Sequence, residues 1–192
     1  MGVVEEQEFV VKRHRVTVDD YYRMAAAGIL TEDDRVELIE GEVIDMAPIG
    51  SRHGSAVKRL NAVLSAAVAH RAIVAVQDPL RLSDRSEPQP DLMLLEPRED
   101  FYRGAHPAAP DVLLLIEVAD SSAGYDHQIK LPLYARHGVG EVWIVDLDHG
   151  LVRFCSDPRD DTYADVTTTR TPGPTAVRAL PGLTVDLSGV LS

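Results

Sequence analysis

Glu117 is the residue whose surroundings most strongly suggest chemistry. It follows five apolar residues, 112–116, and is followed by Val118, so it is expected to lie in a buried β-strand. Strand alternation places its side chain on the same face as Leu113 and Leu115. A buried carboxylate is costly unless a cation, a hydrogen-bond network or a proton compensates it. Glu117 is therefore a candidate site residue.

Asp91 and Lys130 are the residues that could act with Glu117. Asp91 stands at the start of the apolar segment 92–95, and Lys130 lies in the helix predicted after the Glu117 strand. Two carboxylates on neighbouring strands form a hard-oxygen site that suits Mg²⁺ or Mn²⁺. Without a metal, at least one of these carboxyl groups is expected to have a raised pKa. A nearby lysine would stabilise the negative charge that develops during phosphodiester hydrolysis.

Each residue also has a simpler interpretation. An aspartate at a strand end is usually a cap or turn residue, and Glu117 could form a structural ion pair with an arginine. Asp126 and Lys130 are four residues apart, so they could form a surface pair that contributes only about 0.2–0.5 kcal/mol. A carboxylate pair can also serve glycoside hydrolysis, but aromatic residues make up only 5% of the chain, which disfavours sugar binding.

The elements that must position these residues follow from the hydrophobic pattern. Helices are predicted at residues 17–27, 51–70 and 123–137, and a hairpin is predicted around the Glu40-Gly41 turn. Strands are predicted at residues 73–77, 80–82, 90–95, 112–118, 141–146, 151–155, 163–168 and 183–187. The expected fold is α/β: a mixed β-sheet flanked by helices 51–70 and 123–137, with an N-terminal helix–hairpin extension. The Asp91 and Glu117 strands are expected to be adjacent.

Length, charge and cysteine content limit the function further. The 192 residues are expected to form one domain, 15–192, preceded by a flexible N-terminal arm, 1–14. A net charge of −12 makes the chain a poor candidate for a tight, non-specific nucleic-acid coat, but it leaves open a local basic groove or one that a metal ion completes. The single cysteine, Cys155, excludes an intrachain disulfide and a thiolate metal cluster. No secretory signal and no long apolar run is present, so we expect a cytoplasmic protein without a membrane partner.

Taken together and in this order, several motifs resemble the PD-(D/E)XK restriction-endonuclease-like superfamily, and more closely its bacterial Uma-two family of endonuclease-like proteins. The superfamily pattern is Pro90-Asp91, then twenty-five residues, then Glu117-Val118. The finer match lies in residues 36–42, 48–50 with His53, 90–92, 115–122, 125–126, 130–134 and 138–146.

The resemblance implies a restriction-endonuclease-like fold and a set of site residues. Asp91 and Glu117 would bind Mg²⁺ or Mn²⁺, with the carbonyl of Val118 as a further ligand. The superfamily lysine normally stands two residues after the glutamate, where this chain has Ala119, so the family resemblance moves that role to Lys130. Glu37, Glu42 and His53 match family positions and are accessory candidates. The partners implied are DNA and a second copy in a homodimer, and the net charge of −12 predicts that DNA is bound weakly and in a salt-sensitive way.

Two functional hypotheses remain. The first is a metal-dependent phosphodiesterase, a DNA endonuclease that uses two carboxylates and a helix-borne lysine. The second is a catalytically weak or inactive nuclease-fold protein that acts as a binding or regulatory module, which the acidic charge and Ala119 favour. Convergence of Asp91, Glu117 and Lys130 on one solvent-reachable point would favour the first.

Overall fold

The structure is a computed structural model that describes residues 13–31, 33–120 and 123–191. Apart from its last two residues, the predicted N-terminal arm, 1–14, lies outside the described residues. No helix in the described ranges combines the length and the apolar character needed to cross a membrane.

The N-terminal helix and hairpin form as the sequence predicts. Helix α1 (Val18–Ala26) is capped by Thr17, whose hydroxyl accepts the Asp20 amide at 3.1 Å and donates to the Asp20 carboxylate at 2.6 Å. Strands β1 (Val36–Ile39) and β2 (Glu42–Asp45) pair in antiparallel fashion. Glu40 and Gly41 both have positive φ, 48° and 80°, as the tight turns of two-residue hairpins require.

After helix α2 (Ser51–Val68), six strands form the central sheet. They lie side by side in chain order: β3 (Ile73–Val76), β4 (Leu92–Leu95), β5 (Val112–Ala119), β6 (Glu141–Asp146), β7 (Leu151–Arg159) and β8 (Thr162–Thr169). Only β5 and β6 run parallel; the other neighbours within this sheet are antiparallel. The predicted mixed sheet is therefore confirmed, and so is the adjacency of the Asp91 and Glu117 strands.

Each face of the sheet packs against its own apolar cluster. Helix α2 covers one face, together with the small hairpin β9 (Pro174–Ala176) and β10 (Thr184–Asp186). The other face packs against the chain between β5 and β6, which contains the short helices α3 (Ala123–Tyr125) and α4 (Leu131–Arg136). Every residue of β4, β5 and β6 is buried, as expected for strands covered on both faces.

Three local predictions are wrong. Residues 80–82 form no strand, and Arg81 makes only an isolated bridge to Ala108. The predicted helix 123–137 is not regular, because a wide π-type turn, Asp126–Lys130, separates α3 from α4. Leu113 does not share the face of Glu117, because the β4–β5 register shifts between Leu94 and Leu95 and Leu113 packs in the α2 cluster.

Candidate active site

A cavity of about 320 Å³ lies where the ends of β4 and β5 meet the β1–β2 hairpin and the first turn of α2. Residues of β5, of the β1–β2 hairpin and of α2 line it, together with Asp91 just before β4 and the wide turn before α4. The structure brings six of the sequence-predicted residues to this cavity: Glu37, His53, Asp91, Glu117, Val118 and Lys130.

Glu117 reaches the cavity from the buried strand β5, and both of its carboxylate oxygens have partners. Oε1 accepts hydrogen bonds from Nζ of Lys130 at 3.2 Å and from the hydroxyl of Tyr134 at 2.5 Å. Oε2 lies 3.4 Å from the backbone amide of Asp91. The two donors on Oε1 come from the segment that follows β5, so that segment fixes the orientation of the carboxylate.

Asp91 directly precedes β4 and is held by an equally complete set of contacts. Its Oδ2 accepts the backbone amide of Val118 at 2.9 Å. Its Oδ1 lies 2.9 Å from Nε2 of His53 and accepts the Gln77 side-chain amide at 3.3 Å. Because each carboxylate accepts an amide from the neighbouring strand, Asp91 and Glu117 are held side by side across the β4–β5 pair.

Lys130 enters the cavity from the wide turn. The amide of Leu131 donates to the carbonyl of Asp126, five residues earlier, instead of the usual four. Pro132 accounts for the irregularity, because it has no amide hydrogen and its ring clashes with a regular helical turn before it. Such turns are frequent at functional sites, and this one buries Lys130.

Asp126 and Lys130 do not form an exposed pair. Both are only 5% exposed, and both line the cavity, so the surface-pair interpretation is wrong. The interpretation assumed regular helical geometry, which the wide turn replaces.

Glu37 is the accessory acid that faces the cavity, whereas Glu42 does not. Glu37 lies on β1 and accepts hydrogen bonds from the Gln89 amide and the Tyr125 hydroxyl, both at 3.1 Å. Its Oε2 also lies 3.2 Å from Nζ of Lys130. Glu42 is exposed on β2 and pairs with Arg15 at 2.7 Å, outside the cavity.

The cavity holds more negative than positive charge. Four buried carboxyl groups line it, whereas Lys130 is the one buried lysine or arginine among the described lining residues; the four acids are Glu37, Asp91, Glu117 and Asp126. Burial raises the pKa of Glu117 to about 8; the Lys130 ammonium opposes the shift, and Asp126 and Asp91 add to it. The predicted raised carboxyl pKa is confirmed, with burial as its main cause.

The basic groups respond to the same acids. Burial alone would lower the pKa of Lys130, but the carboxylates of Glu117 and Glu37 outweigh burial and raise it. The hydrogen bond to Asp91 raises the pKa of His53, although burial opposes that shift. Lys130 is therefore a permanent cation, and the remaining negative charge calls for a proton or a further cation.

The donor chemistry of the cavity fits Mg²⁺ or Mn²⁺. No three histidine, cysteine, aspartate or glutamate side chains in the described ranges form a ready-made metal cage. Mg²⁺ does not need one, because it usually binds through one or two carboxylates and keeps several waters. Asp91 and Glu117, held side by side, are the residues that would supply those carboxylates.

Sequence reasoning missed Gln77, Tyr125 and Tyr134, which contact Asp91, Glu37 and Glu117 respectively. Tyr134 could have been found, because it stands four residues after Lys130 and helical spacing brings such residues to one face. Gln77 has no comparable signal, since an uncharged polar residue after a strand is common.

Comparisons with known proteins agree with this fold. The Uma2 family model, described as "Putative restriction endonuclease", matches residues 18–188. The structure is similar to the crystal structure of "a putative nuclease belonging to DUF820" from Anabaena variabilis, with a TM-score of 0.68 and 17% sequence identity. That similarity covers 92% of this chain and 97% of the other. No curated protein matches the sequence.

Proposed function

Because the chain belongs to the Uma2 family of restriction-endonuclease-like proteins, we propose that it is a metal-dependent phosphodiesterase that cleaves DNA. One observation carries the proposal: Asp91, Glu117 and Lys130 come from three separate elements and line a single cavity. This is the combination that phosphodiester hydrolysis needs, namely two carboxylates for a metal and a fixed positive charge.

Asp91 and Glu117 would hold Mg²⁺ or Mn²⁺, with the carbonyl of Val118 as a further oxygen ligand. When bound, the ion would lower the pKa of a water molecule and neutralise charge on the phosphate. The raised pKa of Glu117, about 8, means that protonation of this carboxyl group competes with cation binding near neutral pH. Metal binding should therefore release a proton and strengthen as the pH rises.

Lys130 would stabilise the negative charge that builds up on the phosphate. Its ammonium group lies 3.2 Å from both Glu37 and Glu117, so it is held in place before substrate arrives. A charge that is already oriented needs no reorganisation during the reaction, which is why such groups contribute strongly to rate. Glu37 would act as a positioning residue, through Lys130.

One observation favours the alternative, a nuclease-fold binding module without useful catalysis. The Lys130 ammonium already has two carboxylate partners, and the superfamily lysine position is Ala119. If these pairs persist with substrate bound, Lys130 contributes little to catalysis. Binding of metal and DNA without cleavage would establish this alternative.

The test is cleavage of supercoiled plasmid at low salt with Mg²⁺ or Mn²⁺. Asp91→Asn, Glu117→Gln and Lys130→Arg should each lower the rate by about 10²–10³-fold, the usual loss when an oriented charged group is removed or replaced. Arginine is included because its planar guanidinium is a poor substitute for a compact ammonium. Glu42→Gln and Lys58→Arg are the matched exposed controls and should cleave like the wild type.

Calorimetry with Mn²⁺ separates the roles of these residues. Asp91→Asn and Glu117→Gln should weaken binding, whereas Lys130→Arg should bind Mn²⁺ nearly as well as the wild type, because an ammonium is not a metal ligand. If Glu117→Gln binds Mn²⁺ and cleaves DNA as the wild type does, the proposed site is wrong.

A further inference from the structure

The reacting groups are almost fully buried within the cavity lining. Glu117 is 3% exposed and Lys130 is 5% exposed, although both line the cavity. A phosphodiester on the outside of a rigid duplex would have to reach them without bringing the rest of the duplex along. The scissile phosphate must therefore enter the cavity.

The cavity is the size of a small-molecule site. Its volume of about 320 Å³ lies at the lower end of the range for such sites, ~300–1,000 Å³. A cube of this volume has edges of about 7 Å, which leaves room for part of one strand but not for a paired double strand.

Most of the apolar side chains in the lining come from one stretch of chain, and Val118 on β5 adds a further one. Ile44 lies on β2, and Met46, Ala47, Pro48 and Ile49 lie in the segment that joins β2 to α2. Ile49 is 47% exposed, so this wall extends to the cavity mouth. An unpaired base can place its face against such side chains, whereas both faces of a base inside a duplex are already stacked.

The charge of the surroundings also disfavours a duplex. Duplex binding depends on many lysine and arginine contacts to phosphates. Within the described residues, Arg35 and Lys130 are the lysine and arginine side chains that line the cavity, against six acidic residues. Nearby Arg52 already contacts Asp120, Asp148 and the carbonyl of Leu147. Arg35 and Lys130 can therefore contact one phosphodiester, but they cannot contact a row of phosphates along a duplex.

We propose that the substrate of this site is unpaired DNA, a flexible single strand that inserts one phosphodiester into the cavity with a base against the wall of residues 44–49. The inference rests on the proposed phosphodiesterase function and adds the form of the DNA. A nuclease that works on an inserted nucleotide acts either on a single strand or after pulling the nucleotide out of a duplex, which costs free energy.

The test uses one labelled strand in two states. Oligothymidylate, which does not pair with itself, is incubated with the full chain and Mn²⁺, alone and annealed to oligoadenylate. The free strand should be cleaved about a hundredfold faster, because no unpairing is required. A small diester, bis(p-nitrophenyl) phosphate, is measured in parallel to report on phosphodiesterase activity alone.

The outcomes separate the inference from the function beneath it. Equal cleavage of free and annealed strands overturns the inference and leaves the phosphodiesterase function intact. Hydrolysis of the small diester without cleavage of either strand also overturns the inference. No hydrolysis of any diester overturns the proposed function together with the inference.

A pair of variants tests the wall. Ile49→Ser should lower kcat/KM for free oligothymidylate several-fold, whereas Ile29→Ser should not. Ile29 is the matched control, because it is 66% exposed and does not line the cavity. An unchanged kcat/KM in Ile49→Ser would show that no base rests on this wall.

Discussion

At the scale of single residues, Glu117 should make stability depend on pH in a characteristic direction. Burial raises its pKa to about 8 in the folded protein, against an ordinary value of 4.5. Between these pH values the folded state binds more protons than the unfolded state, so the free energy of unfolding falls as the pH rises. The contribution of Glu117 to the free energy of unfolding is complete below about pH 4.5. Above that pH it falls by up to roughly 1.4 kcal/mol per pH unit, until the pH passes about 8.

Glu117→Gln should remove this part of the pH dependence. The measurement is urea unfolding at pH 5 and pH 8 in the presence of a chelator, for wild type, Glu117→Gln and the exposed control Glu42→Gln. In Glu42→Gln, the free energy of unfolding should fall between pH 5 and pH 8 as much as in the wild type. His53, whose raised pKa acts in the same direction, is present in all three proteins and cancels in the comparison. If the free energy of unfolding of Glu117→Gln falls between pH 5 and pH 8 as much as that of the wild type, the pH dependence does not come from Glu117.

The two carboxylates predicted from the residues alone are those whose charge conflicts with an apolar setting, whereas Glu37 and His53 were indicated by the family resemblance. Glu117 within an apolar strand and Asp91 at the start of another are visible because burying a carboxylate is costly. Tyr134 and Gln77 are uncharged, so nothing about their positions conflicts with an ordinary fold. The spacing of Asp126 and Lys130 allows a surface pair as well as a buried one, because it does not give the helix geometry that decides between them.

At the scale of elements, the turn of the β1–β2 hairpin should tolerate no side chain at Gly41. A Cβ there would lie 2.8 Å from Cβ of Arg15 and 3.0 Å from the carbonyl of Val16, and the residue has a φ of 80°. Gly28 is the matched control, because its φ is 71° and a Cβ would meet nothing within 4 Å. A Cβ at either position carries the cost of a left-handed backbone, but only at Gly41 would it also clash with neighbouring atoms.

Gly28→Ala should lower the free energy of unfolding by about 1–2 kcal/mol, the cost of left-handed backbone with a Cβ. Gly41→Ala should lower it by more, because the chain at residues 15–16 must also move. Denaturant unfolding of both variants measures the difference. Equal losses would mean that the hairpin and residues 15–16 are not held as closely as the structure shows.

The elements themselves were largely predictable, and the exceptions have physical causes. Helix α2 and strands β4, β5 and β6 follow from continuous hydrophobic patterns, which few alternatives fit. The segment 80–82 has a strand-like composition but gains only one bridging partner. The wide turn before α4 depends on how Pro132 is accommodated among its neighbours, and a proline in a helical pattern predicts only that some irregularity occurs.

At the scale of the whole molecule, DNA binding by a chain of net charge −12 should be weak and should fall as salt rises, with a slope set by the few cationic side chains at the cavity. For single strands, each phosphate contact contributes about −0.7 to the slope of log affinity against log salt concentration. Arg35 and Lys130 are the lysine and arginine side chains lining the cavity among the described residues, so the expected slope is roughly −1 to −2.

The measurement is kcat/KM for oligothymidylate over a range of NaCl concentrations. Arg35→Gln should make the slope shallower by about 0.7, whereas Arg59→Gln, an exposed change on α2, should leave it unchanged. A wild-type slope steeper than about −4 would indicate an extended row of phosphate contacts, which the acidic surroundings of the cavity do not support.

The parallel pairing of β5 with β6 has a consequence for the order in which the molecule folds. Parallel neighbours require a long crossover connection, and here the crossover contains the wide turn and Lys130. Strand β5 therefore cannot gain β6 until this segment has crossed the sheet, and the same passage brings Lys130 to Glu117. Pairing of β5 with β6 and pairing of Lys130 with Glu117 are therefore coupled, so a change that disturbs this crossover should affect both the central sheet and the site.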